Sequence, residues 1–256
     1  RAGHHRLREL VALKALPVSL GPIDLAVTTA VIAVGAVLQA ATGMGTGILI
    51  VPLLALIDLA LVPGPAVMAS MALSLPMALS GRRHIAYDDL KPLLSGLVAG
   101  CAVGALGLTA VPPDRVGIAF AVAILAAVAI TSAGVRIPFN RRSLVSVGAL
   151  AGVMGATSGA GAPPIALLYQ HREGPELRPT LGFVYAASSV IILVFLALFG
   201  KFGRTEAGLA LLLVPGYVLG YLIAAPLARV LDRGYSRIAV LLLSTVSAVA
   251  LLIRSL

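Results

Sequence analysis

The sequence predicts an all-α integral membrane protein. It would be built as two five-segment halves related as an inverted repeat, with Gly-rich broken or re-entrant helices. Three observations carry that expectation: a composition rich in apolar residues and poor in charge, ten apolar segments of helical type, and a Gly-rich motif that recurs at a fixed offset.

Of the 256 residues, 59% are hydrophobic and 11% are charged, and the mean hydropathy is +1.04. Soluble domains are roughly 45–50% apolar and about 25% charged. The balance excludes an ordinary soluble enzyme, a disordered chain and a nucleic-acid-binding domain, and points to several membrane crossings. The 27 glycines and 16 prolines agree, because transmembrane helices tolerate both better than soluble ones do. A single cysteine, Cys101, excludes an internal disulfide and a Cys-based metal cluster. No metal or cofactor is expected. The net charge is +9, but nearly every charge lies between apolar runs, where anionic headgroups are the natural partner rather than nucleic acid. The expected partners are therefore membrane lipids and a small anionic substrate, and assembly as a homo-oligomer is compatible with the sequence.

Residues 1–22 read as a basic N-terminal tail or a surface amphipathic helix, with Arg1, Arg6, Arg8 and Lys14 around Leu7, Leu10, Val11 and Leu13. The first apolar segment, about 24–41, is near the length limit for a crossing. The second and third, about 48–61 and 66–80, are short. The fourth and fifth, about 91–110 and 115–134, are long enough to cross roughly 30 Å at 1.5 Å per residue. A basic linker, 135–142, separates the first repeat, 23–134, from the second, 143–254. In the second repeat the segments at about 143–157 and 163–170 are short, and those at about 179–199, 207–228 and 235–253 are long. Short, Gly/Pro-interrupted segments at matching places in two halves mark broken helices around a transport site.

The duplication rests on three matches. Thr42-Gly43-Met44-Gly45 and Ser158-Gly159-Ala160-Gly161 lie 116 residues apart, as do the pairs Gly100/Gly104 and Gly216/Gly220. After a two-residue slip, Asp114-Arg115 matches Asp232-Arg233. The match also argues against a signal peptide at the first apolar segment, which has a counterpart in mid-chain. Five segments per half, or three crossings if one short pair is re-entrant, is an odd number, and an odd count inverts the second half. Loops 81–91, 135–143, 170–178 and 229–237 then share a face rich in arginine, against Arg115, Lys201, Arg204 and Arg254 on the other. Positive-inside reasoning places both termini outside; the basic tail argues the other way.

The Gly-rich breaks are the candidate site. Gly43, Gly45 and Gly47 inside one continuous helix would cost roughly 1 kcal/mol each relative to Ala. They suit an irregular turn, after which a helix starts near Ile48 with Thr46 as its N-cap. In the second half, Pro163 or Pro164 fits a first helical turn. Both breaks put a helix N-terminus beside a small-residue pocket, which binds an anion without Lys or Arg. Thr42, Thr46, Thr157 and Ser158 supply hydroxyls and Gln39 an amide; Gly159, Gly161, Ala162 and Pro163 complete the second break. The alternative for these glycines is close helix packing, which is the stronger reading for Gly100/Gly104 and Gly216/Gly220. Ser70, Ser74, Ser188 and Ser189 either line a polar path or bond to their own helices, the commoner case. Asp24 and Asp58 read as capping or solvated residues, Cys101 as a packing residue, and Arg82, Arg83 and His84 as headgroup contacts.

Gly43-x-Gly45-Thr46-Gly47-x-x-x-x-Pro52-x-Leu54 resembles the glycine-rich signature of the sulfite exporter TauE/SafE (TSUP) family, with Gly159-x-Gly161 as the second copy and the resemblance covering roughly 24–253. Thr46 stands where a glycine is usual, and Ala162 and Pro163 depart in the second copy. The resemblance implies a multi-span carrier of sulfite, sulfonates or related sulfur anions in a bacterial plasma (inner) membrane. Its mechanism would be alternating access of one half against the other. An anion channel and a non-transporting membrane scaffold subunit are the alternatives. A membrane-embedded hydrolase is disfavoured, since no His, Asp or Glu falls clearly within a span. The expected site lies near the midplane, formed by the backbone N–H groups of residues 45–48 and 161–165 and the hydroxyls of Thr42 and Ser158.

Overall fold

The computed structural model describes residues 21–42, 47–134, 137–170, 176–231 and 235–256, and within these residues 41, 42, 113, 225–231 and 235–240 as backbone only. The expected tail (described from residue 21 onward), Gly43, Gly45, Thr46, the Asp232-Arg233 match and part of the 135–142 linker lie outside the described residues.

Ten α-helices and no strand occur among the described residues. In chain order they are α1 Pro22–Thr42, α2 Gly47–Ile57, α3 Gly64–Ser80, α4 Tyr87–Ala110, α5 Val116–Ser132, α6 Arg141–Ser158, α7 Ala162–Tyr169, α8 Leu177–Leu198, α9 Arg204–Leu231 and α10 Tyr235–Ser255. The chain is an all-α integral membrane protein. Four helices are long and apolar enough to cross a bilayer by length and composition: α1 over Pro22–Ala40, α4, α8, and α9 over Arg204–Ala224. Large apolar side chains on their outer faces are exposed, among them Ile23, Val103, Leu106, Leu198, Leu211 and Leu222. In water such a surface would drive association; against lipid tails it is the expected exterior.

The fifth segment is shorter than the sequence reading gave it. The 3₁₀ turn Pro113–Arg115 takes up its start, Gly134 with φ +58° follows its end, and α5 keeps 17 residues. Helix ends elsewhere follow local chemistry. Asn140 caps α6 by accepting from the Ser143 N–H at 2.9 Å. Asp24 and Glu206 reach back to the N–H groups of Gly21 and Gly203, at 3.1 and 2.8 Å. Asp58 accepts from the Ala60 N–H at 2.8 Å, so both aspartates at segment ends are caps.

Helices α4 and α6 pack most closely. A Cβ on Gly96 or Gly100 would meet the carbonyl oxygens of Val145 and Ala149, and one on Gly104 would lie 2.7 Å from that of Val153. Rising numbers on both sides mean that the two helices run parallel. Likewise Gly216 sits against Ile32 and Thr29, and Gly220 against Ala36 and Ala33, so α9 runs parallel to α1. These glycines pack helices, because without a hydrophobic drive between helices in lipid close backbone approach supplies the contact. By contrast α3 and α8 run antiparallel: Gly81 meets Pro179, Gly182 meets Met77, and Gly64 meets Phe202. α5 and α10 are antiparallel too, with Gly117 against Ser255 and Leu241 packed on the Ala127–Val128 cluster.

Replacing each of α1–α5 by its counterpart in α6–α10 carries these pairings into one another. The pair α4/α6 becomes α9/α1, and α3/α8 and α5/α10 map onto themselves.

Candidate functional site

The two helix breaks touch. A Cβ on Gly47, the first residue of α2, would lie 2.9 Å from the carbonyl oxygen of Gly159 and 3.1 Å from Cα of Ala160. On the other side, α6 stops at Gly159 because its φ of +82° is a left-handed cap that glycine adopts without strain, its N–H donating to the Gly155 carbonyl. Gly161 then turns the chain so tightly that a Cβ there would lie 2.5 Å from the Ala151 carbonyl oxygen. Pro163 and Pro164 start α7, where a missing N–H costs nothing. The same prolines remove two of the four donors that a helix N-terminus leaves free, so α7 offers only the N–H groups of Gly161 and Ala162.

Around this junction lies a cavity of about 60 Å³, measured as space for the centres of water-sized spheres. One water needs about 10–15 Å³ on that measure, so a small oxyanion or a few waters fit. Its wall combines the breaks (Gln39, Gly47, Gly159, Gly161, Ala162) with Val67 and Ser70 of α3, Tyr185, Ser188 and Ser189 of α8, and Tyr217 of α9. Among the described residues, no Lys, Arg, His, Asp or Glu lines it. Its polarity comes from hydroxyls, one amide and backbone ends.

Gln39, Gly47, Gly159, Gly161 and Ala162 are thus brought together at the cavity wall, as the sequence reading grouped them. Pro163 is buried in the first turn of α7, outside that wall. Thr157 and Ser158 are also outside it. Thr157 Oγ1 donates to the Val153 carbonyl at 2.8 Å, and Ser158 Oγ donates to the Met154 carbonyl at 2.9 Å while accepting from the Ala160 N–H at 3.3 Å. These hydroxyls hold the break in shape. Gly43, Gly45 and Thr46, and the side chain of Thr42, lie outside the described residues.

The hydroxyls facing the cavity come from α3, α8 and α9. Ser70 and Ser189 donate to carbonyls of their own helices, Val67 at 2.7 Å and Tyr185 at 2.9 Å. The Tyr217 hydroxyl lies 3.5 Å from the Ala66 carbonyl and ties α9 to α3. Ser188 differs: it is 6% exposed and its Oγ has no hydrogen-bond partner. Sequence reasoning named Ser188 and Ser189 together but could not separate them, since adjacent helix residues face different neighbours.

The family model described as sulfite exporter TauE/SafE matches residues 27–251. The chain belongs to the sulfite exporter TauE/SafE family. That family is one of membrane transporters, in keeping with the apolar helices. Neither a curated protein nor a solved structure matches the chain. The match of this TauE/SafE member spans both Gly-rich breaks and the other helices that complete the cavity wall.

Proposed function

We propose that this protein moves small sulfur-containing anions, such as sulfite or sulfonates, across a bacterial plasma membrane, and that it is not an enzyme. The observation that carries the reading is the cavity at the meeting of two helix breaks, one from each half, with polar groups but no charged side chain on its wall among the described residues. Two helix N-termini converge there, each carrying roughly half a positive charge. Oriented dipoles attract an anion and still release it, whereas a buried cation costs at least about 2.5 kcal/mol at mid-bilayer.

The halves are read as residues 23–134 and 143–254, related by an axis in the membrane plane. Support comes from helix directions: α3 and α8, and α5 and α10, are counterparts under the repeat and run antiparallel where they touch. An axis along the membrane normal would make counterparts parallel. Alternating access then moves one half against the other around the cavity.

Liposomes holding the purified chain, offered sulfite, thiosulfate, sulfate, sulfonates and carboxylates, test this directly. Saturable uptake of at least one sulfur anion is expected. Carboxylate uptake without any sulfur anion overturns the substrate class, and unsaturable flux replaces the carrier with a channel.

A further inference from the structure

We infer that Ser188 is a substrate-binding hydroxyl of the central cavity and that the cavity selects singly charged sulfur oxyanions over doubly charged ones; this rests on the cavity being the transport site. Among the described residues, Thr28 Oγ1 and Ser188 Oγ are buried side-chain oxygens without a hydrogen-bond partner. Thr28 is fully buried on α1 away from the cavity, whereas Ser188, 6% exposed on α8, lines it. A buried hydroxyl without a partner is costly, and in native proteins such a group commonly awaits a ligand or a water. Ser188 lines the cavity, so an acceptor entering the space would satisfy its hydroxyl, as a water would. A sulfonate or hydrogensulfite oxygen is such an acceptor, and a hydroxyl bonding to it would form a charge-assisted bond, stronger than one to a neutral group.

The charge selection follows from the same wall. Its positive field comes from two helix N-termini, Gly47 of α2 and the Gly161–Ala162 start of α7, which together supply roughly one elementary charge. Among the described residues, no cationic side chain adds to it. A monoanion is therefore balanced. A dianion keeps one charge uncompensated in a space walled largely by apolar side chains, where unbalanced charge is disfavoured. Alkanesulfonates and hydrogensulfite carry one charge; sulfate carries two with nearly the same arrangement of oxygens on sulfur. Size thus cannot mimic the discrimination between methanesulfonate and sulfate.

The test uses the full chain in liposomes at mildly alkaline pH, with methanesulfonate and sulfate as the probes, and a thermal-shift titration of the purified protein with each. Methanesulfonate should be taken up with a KM at least about tenfold lower than that for sulfate. Ser188→Ala should raise the methanesulfonate KM by about tenfold or more and abolish the thermal shift. Ser188→Thr, which keeps a hydroxyl, should stay within about threefold of the wild type, while Ser188→Cys, a weak donor of similar size, should behave like Ser188→Ala. Thr28→Ala should leave the KM unchanged, separating a cavity hydroxyl from any buried one. Sulfate handled as well as methanesulfonate overturns the charge selection and leaves sulfur-anion transport standing. A wild-type KM in either Ser188→Ala or Ser188→Cys overturns the role of Ser188. No uptake of any sulfur anion by folded wild-type protein overturns the transport reading and this inference with it.

Discussion

Gly47 packs against Gly159: the side chain that Gly47 lacks would sit 2.9 Å from the Gly159 carbonyl oxygen. One residue begins α2 and the other ends α6, so the contact joins two breaks that are more than a hundred residues apart in the chain. Both glycines are demanded by geometry, one by the close approach and the other by its φ of +82°.

Gly47→Ala should therefore destabilise the protein by about 1–3 kcal/mol, the usual cost of overpacking, because the atom it meets is backbone and cannot rotate away. Gly159→Ala should cost about 1–2 kcal/mol through its left-handed backbone. Thermal unfolding in detergent reads both. A wild-type melting temperature for Gly47→Ala would show that the two breaks do not touch in the folded protein.

Glycines of α4 divide into two kinds. A Cβ on Gly100 runs into the Ala149 carbonyl, while one on Gly107 meets nothing within 4 Å. Gly100→Ala should then push α4 from α6 and lower the melting temperature. Gly107→Ala should raise it slightly, through a helix propensity gain of about 0.5–1 kcal/mol. Equal effects of the two substitutions would remove Gly100 from the α4–α6 contact.

Helix directions fix which loops share a face. Because α4 and α6 run parallel, Arg83 just before α4 and Arg141 at the start of α6 lie at one end of the bundle. The short hydrogen bond between loop and helix at Ala86 N–H and Thr180 Oγ1, 3.1 Å, ties the start of α8 to the same end. α9 follows α8 after a short turn and passes Ala66 near Tyr217, so it runs with α3 and against α8; α1 runs with α9. Cysteines at Arg83 and Arg141 should label from one side of the membrane, and one at Asp24 from the other. Native Cys101 is fully buried and should contribute little background. Labelling of Asp24→Cys and Arg141→Cys from the same side would defeat the inverted relation of the halves.

The helix breaks were legible because glycine spacing and proline placement are local chemistry. Gly47, Gly159, Gly161 and Ala162 reached the cavity wall from that reading alone. The hydroxyls were less legible. Ser158 beside the second break is spent on Met154 and Ala160, whereas Ser188 on a long, unremarkable helix has an unsatisfied oxygen at the cavity. A serine in an apolar helix can always turn to the carbonyl one turn back. Whether it does depends on what packs around it, which periodicity does not record. The length of α5 is set at its two ends by local chemistry: the 3₁₀ turn Pro113–Arg115 precedes Val116, and Gly134 with its positive φ follows Ser132.

A second pocket, about 410 Å³ as space for water centres, lies along α1, α3 and α9 toward the arginine-bearing end. Its wall includes Ala40, next to Gln39, then Met77 and Ser80 of α3, Tyr221 one turn beyond Tyr217, and Arg178 of α8. Arg178 is exposed at the first turn of α8, so its charge acts through water and is screened by salt. A cation on the wall of a pocket raises the local concentration of anions and speeds their encounter. Arg178→Gln should then raise the KM for a sulfonate by about two- to fivefold at low ionic strength. The difference should shrink as salt rises, since the Debye length falls from about 10 Å at 0.1 M to about 3 Å at 1 M. The maximal rate should be nearly unchanged, because Arg178 does not line the central cavity. Uptake assayed from the face that carries Arg178, across a series of salt concentrations, reads both quantities. A variant whose KM rises equally at every salt concentration would place Arg178 in direct contact with the bound anion, and one with an unchanged KM throughout would close this pocket as a route to the cavity.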